Sequence, residues 1–133
     1  MLKLEHIGIA VKNLQQSNPI FESLFNSSVY KTEMVESEQV NTSFLKVGDI
    51  KIELLEGMNT NNAITKFIEK KGEGIHHLAF EVQDIYAEME RLQKLGFVLI
   101  NDVPKKGADN KMVCFLHPKS TNGVLIELCM EIK

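Results

Sequence analysis

The chain has 133 residues, a formal net charge of -3, 44% hydrophobic residues and 25% charged ones. That length suits one domain able to bury roughly two thirds of its unfolded surface. The mildly acidic balance provides no basic stripe to neutralise phosphates, which excludes a general nucleic-acid binder. No apolar run approaches a membrane span and the N-terminus lacks the apolar core of a signal peptide, so no membrane partner and a cytoplasmic location are expected.

Taken in order, residues 3–11 alternate as a strand does, with Ile7, Ile9 and Val11 on one side and His6, Gly8 and Ala10 on the other. The second side carries one ligand-type residue followed by very small ones, as a strand facing a cavity would. Asn18 is expected to cap a short helix with Pro19 at its first position and Ile20, Leu24 and Phe25 on its inner face. Strands are expected over 29–35, 42–47 and 50–55, with Gly48-Asp49 as a hairpin turn. Residues 58–62 read as a polar connection, and Asn62 as the cap of a helix over 63–70 with Ile64, Phe67 and Ile68 inward.

Gly72 and Gly74 then release a second strand, in which Leu78, Phe80 and Val82 oppose His77, Ala79 and Glu81. Asp84 should cap a helix whose Ile85, Met89, Leu92 and Leu95 recur at helical spacing, ended by Gly96. Residues 98–101 and 112–117 follow as strands on either side of a flexible loop, 104–110, and a turn over 118–123 leads to the last strand. Cys114 and Cys129 form no C-x-x-C pair and sit in apolar runs, so both are expected as buried free thiols in a reducing compartment.

The second half restates the first. Without a gap, His77 falls on His6, Ala79 on Gly8, Val82 on Val11, Asp84 on Asn13 and Ile85 on Leu14. The ends of the two copies repeat separately, with Glu127 of Leu125-Ile126-Glu127-Leu128 falling on Glu53 of Lys51-Ile52-Glu53-Leu54. The expected organisation is therefore one domain, 1–133, built of two modules, about 1–57 and 74–133, joined by a helical linker, 58–73. Each module begins with a histidine and ends with a mid-strand glutamate. A buried carboxylate costs several kcal/mol unless it is paired or bound to a metal, so His6, Glu53, His77 and Glu127 are the expected ligands of a divalent metal. Such an N2O2 set leaves two octahedral positions open, as catalytic sites do, and without a thiolate it accepts Co, Mn, Ni, Zn or Fe(II). His76 competes with His77, but alternation sends it to the other face. His117, before Pro118, reads as an exposed or structural histidine. Lys105, Lys106, Lys111 and Lys119 are either solvated or contacts for an anionic phosphate.

Across nearly the whole chain these residues resemble the vicinal oxygen chelate superfamily, which includes glyoxalase I, extradiol dioxygenases, fosfomycin-resistance enzymes and methylmalonyl-CoA epimerases. The segments 5–11, 47–56, 71–80 and 115–128 are similar to the epimerases. The strand-histidine and strand-glutamate pattern is shared by the superfamily, whereas Gly72-Glu73-Gly74-Ile75-His76-His77 and Phe115-Leu116-His117-Pro118-Lys119 point to the epimerases. The resemblance implies an α+β fold of paired βαβββ modules forming a cup around the metal, commonly in a homodimer. It implies the same four ligands, with cobalt favoured and manganese, nickel or zinc possible, and a CoA thioester as the small-molecule partner. Some epimerases carry a glutamate where this chain has Thr42, and a proline is frequent where it has Gly57.

The implied reaction interconverts (R)- and (S)-methylmalonyl-CoA by taking the C2 proton and returning it to the other face, through a metal-stabilised enolate. Glu127 and Glu53 form the candidate acid/base pair, one from each module, and Lys119 and Lys106 the candidate contacts to the CoA phosphates. Glyoxalase I has the same proton chemistry and can have the same ligands, so it is the alternative reading. A dioxygenase would use a His-His-Glu triad without Glu53, and a metal-free ligand-sequestering protein would lack the four ligands.

Overall fold

The computed structural model describes residues 3–133. In chain order its elements are β1 (Lys3–Ala10), α1 (Leu14–Phe25), β2 (Lys31–Val35), β3 (Val40–Val47), β4 (Ile50–Gly57), α2 (Ala63–Lys71), β5 (Gly74–Glu81), α3 (Ile85–Lys94), β6 (Lys105–Lys106), β7 (Lys111–Leu116) and β8 (Ile126–Glu131). The chain forms two compact units, residues 6–76 and residues 77–133, the latter together with the opening residues of β1. Each unit carries the βαβββ succession, and the class is α+β.

In the first unit the strands lie side by side as β2, β3, β4, β1. β1 runs parallel to β4, and the two hairpin pairs are antiparallel. Ile7, Ile9, Val11, Leu45, Ile52 and Leu54 pack against Leu14, Phe21 and Phe25 of α1. Period-two alternation thus turns one sheet face to the helix, and each large aliphatic buried there stabilises by about 1.5–3 kcal/mol. On the opposite face, Ala10, Val40 and Leu55 pack with Ile64, Phe67 and Ile68 of α2. That face is therefore filled at one end, and only its His6 end keeps polar ligand-type residues.

The second unit repeats the order as β6, β7, β8, β5, with β5 parallel to β8. Val82, Cys114, Leu116 and Leu128 pack against Ile85, Met89 and Leu92 of α3. Ala79, Val113, Cys129 and Phe115 group on the other face.

The sequence-based helix caps fare unevenly. Asn62 caps α2 by accepting from the Thr65 amide at 2.9 Å, and Asp84 caps α3 by accepting from Tyr86 and Ala87. α1, however, starts after Asn13 rather than Asn18, and Pro19 lies inside it. Asn13 accepts from the Gln16 amide at 3.0 Å, and the Glu56 carboxylate accepts from the Leu14 amide at 3.1 Å. These bonds satisfy first-turn amides that water would otherwise take up. Of the residues expected inward, Phe25 packs inward beside Leu14 and Phe21, whereas Ile20 and Leu24 are exposed. Leu95 is also exposed, because the chain leaves α3 there. The strand expected over 98–101 is reduced to a single bridge, Leu99 to Leu116. Within the expected loop 104–110, Lys105 and Lys106 form the short β6.

Gly57 has a steric reason. A Cβ there would meet the Asn62 amide oxygen at 2.5 Å and, closer still, the Thr65 hydroxyl. The N-terminus of α2 rests directly on that backbone, and any side chain would push it away.

Candidate metal and acid–base site

In the first unit the site grows out of strand register. Gly8 of β1 lies opposite Glu53 of β4, and His6 stands two residues before Gly8 on the same face. Gly8 has no side chain to fill the space between them, and His6 Nδ1 lies 3.1 Å from Glu53 Oε2, with both side chains 5% exposed. Phe44 of β3 pairs with Glu53 from the other side, and Thr42 pairs with Leu55. His6, Glu53, Phe44 and Thr42 therefore share one face. The Phe44 ring also receives two ammonium groups, Lys31 Nζ at 4.4 Å and the buried Lys51 Nζ at 5.8 Å from its centroid.

The second unit has the same construction. Ala79 of β5 lies opposite Glu127 of β8, and Phe115 of β7 pairs with Glu127. His77 Nε2 lies 3.3 Å from Glu127 Oε1, both side chains being under one tenth exposed. The Phe115 ring meets His77 edge-on, with centroids 5.7 Å apart at 88°. The four residues expected as ligands thus form two buried His–Glu pairs at equivalent places in the two units.

Each pair combines an imidazole nitrogen and a carboxylate oxygen away from water. A carboxylate in that position requires a cationic partner, and the nitrogen–oxygen donor set without thiolate fits a divalent ion of borderline softness.

His76 is placed elsewhere. Its ring meets Phe67 of α2 edge-on at 5.0 Å, and burial pushes its pKa down to about 4 against a smaller opposing effect of Glu38. It is neutral at neutral pH. His117 accepts from the Lys119 amide at 3.0 Å and so caps the short turn over Pro118–Ser120, a structural role.

Lys119 and Lys106 are both exposed. Lys106 pairs with Met112, on the α3 side of the sheet, whereas Lys105 pairs with Val113 on the Glu127 side. Cys114 and Cys129 are buried free thiols. Burial pushes Cys114 up to about 11 and Cys129 higher still, the nearby Glu127 adding to the latter.

Sequence reading passed over Phe44 and Phe115. For Phe44 a signal existed: pairing outward from the Gly48-Asp49 turn sets Val47 against Ile50 and brings Phe44 opposite Glu53. The long connection between β7 and β8 allows no such count for Phe115.

Residues 5–115 match the model of the glyoxalase/bleomycin resistance protein/dioxygenase superfamily. The chain is 39% identical over 127 residues to the mitochondrial methylmalonyl-CoA epimerase of Dictyostelium discoideum, covering 95% of this chain and 76% of that protein. It is 38% identical over 128 residues to the ethylmalonyl-CoA/methylmalonyl-CoA epimerase of Cereibacter sphaeroides, covering 95% and 96%. This chain belongs to the methylmalonyl-CoA epimerase family. A solved structure from that family, a variant of the Streptomyces coelicolor epimerase in complex with 2-nitronate-propionyl-CoA, matches with a TM-score of 0.94. It is 31% identical and covers 100% of this chain and 99% of that one. Family membership makes the chain an enzyme of the epimerase type, with the paired βαβββ fold of its superfamily.

Proposed function

We propose that this chain interconverts (R)- and (S)-methylmalonyl-CoA, and that His6, Glu53, His77 and Glu127 together hold one divalent metal ion, with cobalt favoured. The observation that carries the proposal is the recurrence of one buried His–Glu pair at the same register in both units. Relatives named for this epimerisation support the choice of substrate. When bound, the ion supplies Lewis-acid stabilisation of the negative charge that develops on the substrate, worth several kcal/mol.

The chain's own residues do the rest. Glu127 takes the C2 proton, and Glu53, from the other unit, or a water donates a different proton to the opposite face, each such transfer contributing roughly 10²- to 10⁴-fold. Phe44 and Phe115 flank the two carboxylates and keep bulk water from them. Lys119 and Lys106 are assigned to the CoA phosphates as exposed cations. The organisation proposed is a single domain of two modules, 1–57 and 74–133, joined by 58–73, acting as a homodimer in the cytoplasm.

The test is proton exchange. Cobalt-loaded protein incubated with racemic methylmalonyl-CoA in D2O is expected to place deuterium at C2 while giving no lactoylglutathione from methylglyoxal and glutathione. Lactoylglutathione formation without exchange at C2 would transfer the chain to glyoxalase chemistry.

A further inference from the structure

Two adjacent hydroxyls on β3 are buried without a hydrogen-bond partner: Thr42 Oγ1 and Ser43 Oγ, in residues 1% and 0% exposed. A buried hydroxyl left unsatisfied destabilises a fold, so each requires an explanation. The two differ in where they point. Ser43 pairs with Leu54, on the face that packs against α1, among side chains that offer no ligand space. Thr42 pairs with Leu55 and lies one strand repeat, roughly 7 Å, from Phe44, the residue opposite Glu53. It stands at the boundary between the α2-covered end of that face, where Val40 and Leu55 are packed, and the end that carries Glu53 and His6.

We infer that Thr42 is a substrate-binding residue whose hydroxyl donates a hydrogen bond to the free carboxylate of the bound acyl group. This rests on the epimerase reading above and adds a specificity determinant to it. A dicarboxylic acyl group brought beside Glu53 meets a like charge, and a neutral donor on the same wall satisfies one of its oxygens without adding a further anion. Valine, the same shape without the hydroxyl, would leave that oxygen unpaired. A monoacid such as propionyl-CoA has nothing for Thr42 to hold.

The experiment compares Thr42→Val, Thr42→Ser and Ser43→Ala with the wild type, all cobalt-loaded. Thr42→Val is expected to melt a few degrees higher, since an unsatisfied hydroxyl has gone. It is also expected to raise KM for methylmalonyl-CoA about tenfold, as loss of one hydrogen bond to a charged group does, while propionyl-CoA binding measured by calorimetry stays the same. Thr42→Ser should restore most of the KM. Ser43→Ala should gain stability with unchanged kinetics. An unchanged KM in Thr42→Val, or an equal weakening of propionyl-CoA, overturns the assignment while leaving the epimerase reading intact. A wild type that neither turns over nor binds methylmalonyl-CoA removes both.

Discussion

A carboxylate buried in mid-strand beside an imidazole can be stabilised by sharing a proton with it or by a metal ion that takes both as ligands. The first arrangement suits a group that must accept and release a proton, and in the second the carboxylate must first loosen from the metal. Glu127 meets this condition with His77 at 3.3 Å and the Phe115 ring nearly perpendicular to that imidazole. Replacing it removes the proposed base and leaves His77 without its carboxylate. Glu127→Ala is therefore expected to lower turnover by at least 10²-fold, measured as the rate of deuterium entry at C2 in metal-loaded protein whose far-UV spectrum is unchanged. Full activity in that variant would remove Glu127 from the chemistry. At this scale the repeat of histidine and glutamate in the sequence corresponds to two buried His–Glu pairs in the structure. The sequence was uninformative about Phe115, whose place beside Glu127 comes from what lies across the strand rather than along it.

Among the elements, the helices show where local signals suffice. α2 carries its own start signal in Asn62, whose side chain accepts from the Thr65 amide and donates to the Gln39 carbonyl at 3.0 Å. The cap thus also fastens the helix to the β2–β3 turn. Asn62→Ala should cost about 1 kcal/mol for the lost cap and more in total, because the Gln39 carbonyl loses a donor as well. Chemical denaturation would show this as a lower midpoint with the same slope, and an unchanged midpoint would exclude the cap as a contributor. Gly57→Ala should be at least as damaging, since the added methyl overlaps the cap itself. α1 was misplaced from sequence for a related reason. Its second anchor, Glu56, is 42 residues away, so nothing near Asn13 distinguishes it from Asn18 as the better start. Ile20 and Leu24 precede Phe21 and Phe25 by one residue each, so both pairs have helical spacing. The sequence alone therefore offers two adjacent apolar stripes, of which the sheet takes the aromatic one.

For the molecule as a whole, the proposal that two half-sites serve one ion separates from the alternative of two independent sites by a simple measurement. Cobalt at about 100 times its Kd should stabilise the protein by about 2.7 kcal/mol, and a chelator should reverse the gain. If the ion is shared, His6→Ala and His77→Ala each abolish most of that shift in melting temperature; if each unit binds separately, each variant loses only its own part. The α+β class and the doubled βαβββ succession could be read from the chain because hydrophobic alternation and the repeat agree. The strand expected over 98–101 could not, because it contributes one bridge instead of a ladder.

The matched register of Gly8 with Glu53 and Ala79 with Glu127 has a consequence for how such a sequence can diverge. Substitution and length change are not equivalent here. Inserting one residue into β4 between the Gly48-Asp49 turn and Glu53 would swing the carboxylate through to the α1 side and bring Ile52 into its place. The strands of each unit are thus free to exchange one aliphatic for another but fixed in residue count, and insertions and deletions should collect in connections such as 58–62 and 101–104.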